Sequence, residues 1–317
     1  MDMITQVVHL YYQRNMTQQQ TANRFGVSKM TISRMLKKAE EDGLVEIRIH
    51  LPINNEPHLE AELKKRFHFK NVFVTYPPDE NLSAKTFQGE LLLDFLGRST
   101  ALYIDSLLRD NMIVGIALGK TIGYVVRHLP QKNLLNSKVV QLLGGFGTSS
   151  NANPYDLVHL ISHRFNAEGI YFSGPAFVDS LEIKEALLAQ HIHDGLQELW
   201  DRCDLALMSI GNCSLQSSYV VAGQISSQDI EEIRAEGAVG DIVGHFYDSH
   251  GTFFKPKLYK QVNAIPLESL KKVKQIVVTA GGLDKVQSLL GLSRTGIPVS
   301  LVTDLYTADA MLAASNS

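Results

Sequence analysis

The sequence predicts two domains of different class: a small helical domain with a helix-turn-helix over residues 1–53, and an α/β domain with a largely parallel sheet over residues 54–317. Three observations lead there. A length of 317 residues exceeds one typical domain. Residues 21–36, TANRFGVSKMTISRML, set a glycine between two helical patterns and load the second with hydroxyl and cationic side chains. Beyond residue 70, short apolar strand patterns alternate with helical ones, as in βα crossover units.

Composition narrows the class. With 44% hydrophobic and 20% charged residues the chain is neither disordered nor collagen-like. Its longest apolar runs, such as Ile113–Leu118 and Val139–Leu143, fall far short of the roughly 20 residues of a membrane helix. MDMITQVVHLYYQRN lacks the basic start and apolar run of a signal peptide. The two cysteines, Cys203 and Cys213, have no metal-ligand partners at characteristic spacing and are expected to be reduced in a cytoplasm. Net charge is -3, yet residues 1–50 carry seven cations and five anions. Between Ser28 and Lys38 stand four cations and no anion. That local concentration matters more than the whole-chain balance, because phosphate contacts are made by one face.

Ile4, Val7, Val8, Leu10, Tyr11 and Tyr12 recur at helical spacing, so residues 3–14 read as a first helix. Thr17 caps a second over Gln18–Phe25, and Gly26 permits the positive φ of a tight turn. Ser28 caps a third, ending near Gly43. Ala22 is small where helices cross; Phe25, Val27, Ile32 and Met35 are the expected core. The spacing of small residue, glycine and apolar residues is that of a helix-turn-helix rather than an ordinary helical hairpin with a solvated basic face. Ser28, Lys29, Met30, Thr31, Ser33, Arg34 and Lys37 then face outward, able to donate to phosphates and reach base edges of double-stranded DNA. Leu44–His50 alternates apolar and polar, predicting a strand and a wing that brings Arg48 near the DNA backbone. Residues 50–57, with two prolines and two asparagines, read as the linker.

Strands are expected at Asn71–Tyr76, Met112–Ala117, Lys138–Leu143, Leu205–Ile210, Lys274–Thr279 and Pro298–Thr303, with helices in Ser83–Arg109 and Leu181–Trp200. Ligands bind such sheets beyond the C-terminal strand ends. Four loops there carry chemistry. Gly119, Lys120 and Thr121 open a helix, where backbone amides and a hydroxyl can cradle a phosphate. Gly144 and Gly145 allow a ligand to approach the backbone. Asp241, in Ala238–Ile242, can accept from sugar hydroxyls or cap the helix it opens. Lys285, after Gly281-Gly282, suits a phosphate charge or is a plain surface cation. Gly119-Lys120-Thr121 also looks like the tail of a P-loop, but the required upstream glycine is absent, Gly115 lying inside the strand. His159 and His163 share a helical face without a third ligand, so no metal site is assigned. His191 and His193 read as solvated and Trp200 as core.

The blocks Leu10-Tyr-Tyr, Ser28–Leu36, Val139-Val-Gln-Leu with Gly144-Gly145, Ala238-Val-Gly-Asp241, Phe246–Gly251, Ala280-Gly-Gly282 with Lys285, and Val302-Thr-Asp304 occur in that order. Together they resemble the SorC/DeoR-type sugar-binding transcriptional regulators of bacteria, over the whole chain. The resemblance implies an effector domain related to phosphosugar isomerases that binds a phosphorylated sugar and controls affinity for operator DNA, in a protein that is typically a homotetramer. It places Gly119, Lys120 and Thr121 on the phosphate loop, Asp241 on the sugar-contacting carboxylate and Lys285 on a ligand-contacting lysine. Leu143 departs from members that carry Lys or Arg before the glycine pair, and so offers no amine for a Schiff base. No cofactor and no catalytic residue is assigned. A sugar-phosphate isomerase or hydrolase carrying a DNA-binding domain stays open, since Asp241 and Lys285 are also a base and an acid.

Overall fold

The computed structural model describes residues 2–45, 54–77, 82–146, 153–254, 256 and 262–315. The chain divides into two compact units, Met1–Pro52 and Ile53–Ser317. In the first, α1 (Met3–Val8) runs into a π-helical turn, His9–Gln13, followed by α2 (Gln18–Phe25) and α3 (Lys29–Glu41). Side chains cap every start. Asp2 accepts from the Thr5 N–H, Thr17 and Gln20 form a capping box, and Ser28 accepts from the Thr31 N–H. Gly26 closes α2 at φ +65°, a left-handed conformation that costs glycine nothing.

Val7, Ala22, Ile32 and Leu36 are buried between these helices, and Phe25, Val27 and Met35 are only partly covered around them. The sequence reading put Phe25, Val27, Ile32 and Met35 in this core; Ile32 is buried there with Val7 and Leu36, and the other three pack partly covered against them. Each buried aliphatic side chain contributes roughly 1.5–3 kcal/mol. Leu44 and Val45 are not in a strand, and the expected wing with Arg48 lies outside the described residues.

The second unit begins with a correction. Part of the expected linker is an edge strand, β1 (Asn54–Asn55), antiparallel to β2 (Asn71–Tyr76), with α4 (Pro57–Phe67) between them. Then come α5 (Gly89–Leu107), β3 (Ile113–Ile116), α6 (Lys120–His128), β4 (Lys138–Gln141), α7 (Pro154–Phe165), β5 (Glu168–Ile170), α8 (Leu181–Leu188), α9 (Leu196–Asp201) and β6 (Leu205–Met208). The chain continues through α10 (Ser218–Val221), α11 (Ser227–Ala235), β7 (Ala238–Ile242), β8 (His245–Asp248), α12 (Leu267–Lys272), β9 (Gln275–Thr279), α13 (Val286–Leu292), β10 (Val299–Asp304) and α14 (Leu305–Ala314).

Eight strands form one sheet in the order β1-β2-β10-β9-β6-β3-β4-β5, parallel except for β1. Both faces are covered, which is why the strands read as continuous apolar runs. Leu205, Leu207 and Val277 join the core beneath α5, α6 and α7 with Ile104, Val125 and Ile161. Ala206, Met208, Ile276 and Val278 join the opposite core with Leu63, Trp200, Leu270 and Met311. From β3 the chain moves outward to β4 and β5; from β6 it moves the other way, through β9 to β10. The loops after β3 and β6 therefore diverge, leaving a crevice at the topological switch point.

Two further readings change. Leu181–Trp200 is not one helix: it breaks into α8, a 3-10 turn at His191–His193, and α9, with Gly195 at φ +78°. His193 is buried rather than solvated, its Nδ1 2.7 Å from the Leu187 carbonyl and its ring 4.7 Å from Phe172, whereas His191 is exposed. Trp200 is core, its Nε1 donating to the Gln141 carbonyl at 2.9 Å. The leucines of Leu91–Leu96 divide, Leu92 and Leu96 buried with Phe95 and Leu91 exposed.

Helices α5 and α6 cross closely, because a Cβ on Gly97 would stand 2.7 Å from the Tyr124 carbonyl carbon. Gly97→Ala gains about 1 kcal/mol in helix propensity but forces the helices apart, at a cost of about 1–3 kcal/mol. The clash is with rigid backbone, so the variant is expected to be destabilised; a urea midpoint at or above the wild-type value would contradict this crossing.

Candidate functional site

The crevice at the switch point holds two adjoining cavities. The inner one, of ≈ 80 Å³, is walled by Gly119, Ser209, Ile210, Gly211, Tyr219, Asp241 and Lys285, among others. The outer one, of ≈ 710 Å³, shares Gly119, Ser209, Ile210, Gln216, Ser218 and Lys285 with it and adds Lys120, Thr121, Arg127 and Phe146. Gly119 caps α6 at φ +138°, ψ +146°, a conformation L side chains rarely adopt. The first helical hydrogen bond of α6 runs from Gly123 N–H to the Gly119 carbonyl, so the amides of Lys120, Thr121 and Ile122 have no acceptor within the helix. They and the helix dipole favour an anion at this end.

Asp241 arrives on β7, inside an antiparallel hairpin with β8; it neither lies in a loop nor opens a helix, as the sequence reading had it. The hairpin turn needs Val243 and Gly244, both at positive φ. Asp241 is 3% exposed. Its Oδ2 accepts from the Tyr219 hydroxyl at 2.8 Å and the Gly244 N–H at 3.0 Å. A Cβ at position 211 would coincide with its Oδ1, so Gly211 is what admits the carboxylate. Burial raises the carboxyl pKa; the bonds from Tyr219 and Gly244 and the nearby Lys285 charge pull against that.

Lys285 closes the 3-10 turn Leu283–Lys285 and is half-buried, not a free surface cation. Burial lowers its pKa, while the charges of Asp284 and Asp241 oppose the shift. Its ammonium donates to the Ile210 carbonyl at 3.3 Å. The turn is held from behind by Asp304, whose Oδ2 accepts from the Gly282 N–H at 3.0 Å and the Thr307 hydroxyl at 2.5 Å, while Oδ1 caps α14.

The structure thus gathers Gly119, Lys120, Thr121, Asp241 and Lys285 around one crevice. It does not bring Gly144 and Gly145 to the cavity walls. A Cβ on Gly144 would run into the Pro175 carbonyl, and Gly145 exchanges backbone hydrogen bonds with Gly174 and Ala176. These glycines admit a neighbouring segment of the chain; the next residue, Phe146, lines the outer cavity. Gly147 lies outside the described residues. Leu143 is fully buried in the core. Ser209, Gly211, Gln216, Ser218 and Tyr219 were missed, although the loop after a predicted strand, Ile210-Gly-Asn-Cys-Ser-Leu-Gln-Ser-Ser218, was small and polar enough to flag. His159 and His163 are both exposed on α7, and among the described residues no three His, Cys, Asp or Glu side chains group to hold a metal. Cys203 and Cys213 are buried free thiols.

In the first unit, Ser28, Lys29, Met30, Ser33, Arg34 and Lys37 are exposed on α3, Met30 at 65%. Thr31 is half-buried, and its hydroxyl is 2.8 Å from that of Ser28. Arg34 has no carboxylate partner within salt-bridge distance among the described residues, and Lys37 is only 3.9 Å from Glu41.

A pH test follows from Asp241. Because its folded pKa is raised, the protonated form stabilises the fold, and that contribution is lost as pH rises through the folded pKa. Asp241→Asn keeps an acceptor for Tyr219 and Gly244 and removes the buried charge. It is expected to raise the melting temperature at neutral pH, with the advantage shrinking toward the ordinary carboxylate range. A variant less stable than wild type at neutral pH and equal to it in acid would show that the ionised carboxylate is favoured in the fold.

Comparison with known proteins agrees with this architecture. The sugar-binding domain family matches residues 52–313, and a sigma-70 region 4 pattern matches residues 5–41. The chain is 28% identical over 313 residues to the sorbitol operon regulator of Klebsiella pneumoniae, spanning 98% of this chain and 97% of that one. It is 28% identical over 309 residues to the erythritol catabolism regulatory protein EryD of Brucella abortus (strain 2308), spanning 97% and 95%. It is 25% identical over 309 residues to the deoxyribonucleoside regulator of Bacillus subtilis (strain 168), spanning 97% and 96%. The crystal structure of full-length SorC from Klebsiella pneumoniae superposes with a TM-score of 0.70 at 28% identity, covering 98% of each chain. The family match spans most of the chain, and the relatives match it nearly end to end: this protein belongs to the SorC/DeoR-type sugar-binding transcriptional regulators.

Proposed function

We propose that the protein is a DNA-binding transcriptional regulator of a carbohydrate-utilisation operon, acting in the cytoplasm and controlled by a phosphorylated sugar. The observation that carries this is the meeting of three chemistries in one crevice. Free amides at the start of α6 and the Lys285 ammonium suit a phosphate, and the Asp241 carboxylate suits hydroxyls. Thr121 adds a hydroxyl and Lys120 a second cation at the mouth of the outer cavity. Relatives named for sorbitol, erythritol and deoxyribonucleosides agree with a polyhydroxylated ligand.

The phosphate sits at the α6 terminus and the hydroxyls face inward, since a phosphate placed against the buried Asp241 would meet a like charge. Asp241 and Lys285 bind and do not turn over their ligand. The carboxylate's Oδ2 is engaged by Tyr219 and Gly244, and a lysine paired with phosphate stays protonated, a poor nucleophile. Position 143, a buried leucine, forms no Schiff base. In the N-terminal unit, α3 reads operator DNA through Ser28, Lys29, Met30, Thr31, Ser33, Arg34 and Lys37. One helix-turn-helix reads a half-site, so the working form is at least a dimer and, in our reading, a homotetramer.

A panel of phosphosugars should contain a compound that raises the melting temperature; at 100 times Kd the expected stabilisation is about 2.7 kcal/mol. Lys285→Ala should abolish that shift, and an undiminished shift would move the site elsewhere. The same compound should be recovered chemically unchanged after incubation, and intact-mass measurement after borohydride treatment should find no adduct; conversion would favour an enzyme.

For DNA, Arg34→Ala with Lys37→Ala should weaken operator binding. The slope of log affinity against log salt should fall by about one unit for each phosphate that is no longer neutralised. Unchanged affinity and slope would remove α3 from the reading role. Light scattering that shows a monomer with full operator affinity would contradict the assembly.

A further inference from the structure

Three consecutive residues after β6 each secure a different part of the cavity wall. The Ile210 carbonyl accepts from the Lys285 ammonium at 3.3 Å. Gly211 exchanges backbone hydrogen bonds with Asp241, at 3.1 and 3.4 Å, and lies beneath its carboxylate. Asn212 donates from Nδ2 to Asp284 Oδ2 at 2.7 Å. The segment 210–212 is thus a common frame for both charged groups of the crevice, and Asp284 ties it to the 3-10 turn that presents Lys285.

The tie becomes decisive when a ligand arrives. Among the described residues, the other hydrogen bond between segment 210–212 and the turn is made by the Lys285 ammonium itself. An anion that recruits this ammonium competes with the Ile210 carbonyl for it. What then keeps the turn against the β6 loop is the Asn212–Asp284 pair. Asp284 also places a carboxylate beside a lysine that burial pushes toward neutrality.

The geometry points to Asp284 and Asn212 as positioning residues for Lys285: a cross-loop latch that holds the lysine at a fixed distance from Asp241 when its ammonium turns to an anionic ligand. This rests on the reading of Lys285 as a ligand contact. Asp284 is exposed and Asn212 half-buried, so the pair contributes little to global stability. A loss of ligand affinity without it therefore reports position rather than folding.

The test uses the full-length protein and inorganic phosphate as the probe, by isothermal titration, with the melting temperature of the unliganded protein as the folding control. Asp284→Ala and Asn212→Ala should each weaken phosphate binding by about three- to tenfold. The double variant should lose no more than Asp284→Ala alone, because the bond that Asn212→Ala removes is already gone in it. Asp284→Asn keeps an acceptor for Asn212 and should recover part of the loss; a merely structural effect of altering the turn would not be relieved this way. Losses that add in the double variant, or an Asp284→Asn protein as weak as Asp284→Ala, overturn the latch. If Lys285→Ala loses phosphate while the latch variants bind as wild type, the latch is wrong and the ligand site stands. If Lys285→Ala binds as wild type, or the unaltered protein binds no phosphate, both fall.

Discussion

A carboxylate with 3% of its surface exposed has to be supplied with donors and with room, and in this protein Asp241 sets both requirements. Oδ2 needs the Tyr219 hydroxyl and the Gly244 amide. Room for Oδ1 requires a residue without a side chain at 211. Those demands fix the β7–β8 hairpin, the course of the loop after β6 and the placement of α10, which carries Tyr219. Removing a donor from such a group exposes the desolvation cost of a buried charge, several kcal/mol even after relaxation. The surrounding polypeptide is therefore organised around keeping this one group satisfied.

The same burial sets the electrostatics of the crevice that we propose as the ligand site. Lys285 and Asp241 are both pushed toward their neutral forms by desolvation, and each one's charge pulls the other back. Two groups in that state gain from a partner that supplies hydroxyl donors to one and an anionic oxygen to the other. Strain of this kind collects where function needs it, and the apolar layers on both faces of the sheet carry the stability that permits it. Asp304 belongs to the supporting side of this division: it caps α14 and grips the Gly282 amide, holding the turn before Lys285 without lining either cavity.

In the N-terminal unit the division runs through single residues. Ser28 and Thr31 hold their hydroxyls 2.8 Å apart while Ser28 also caps α3, so these side chains begin the helix as well as stand on its outward edge. Ile32, Leu36 and Ala39 face inward and leave Lys29, Met30, Ser33, Arg34 and Lys37 exposed. A helix of this kind is rigid on one side and free on the other, which is what a reader of base edges requires.

The sequence alone determined whatever depends on neighbours in the chain. Capping by Thr17 and Ser28, the left-handed Gly26, the apolar runs of β2, β3, β6, β9 and β10, and the glycine-led start of α6 are local consequences of local residues, and they were legible. Lys285 and Asp241 could be singled out by residue type. Their surroundings could not. Asp241 was expected to head a helix and lies in a hairpin; His193 was expected in solvent and packs against Phe172; Gly144 and Gly145 were expected to face a ligand and face Pro175 and Gly174. For His193 and the two glycines the partner in contact lies some twenty to thirty residues away in sequence, where only packing decides it; for Asp241 it is the strand five residues on, paired through the turn at Val243 and Gly244. Tyr219 meets Asp241 and Asn212 meets Asp284 across 22 and 72 residues, separations at which side-chain spacing carries no signal. Residue type supplied the chemistry of the site; the divergence of β3 and β6 in the folded sheet decided which residues share it.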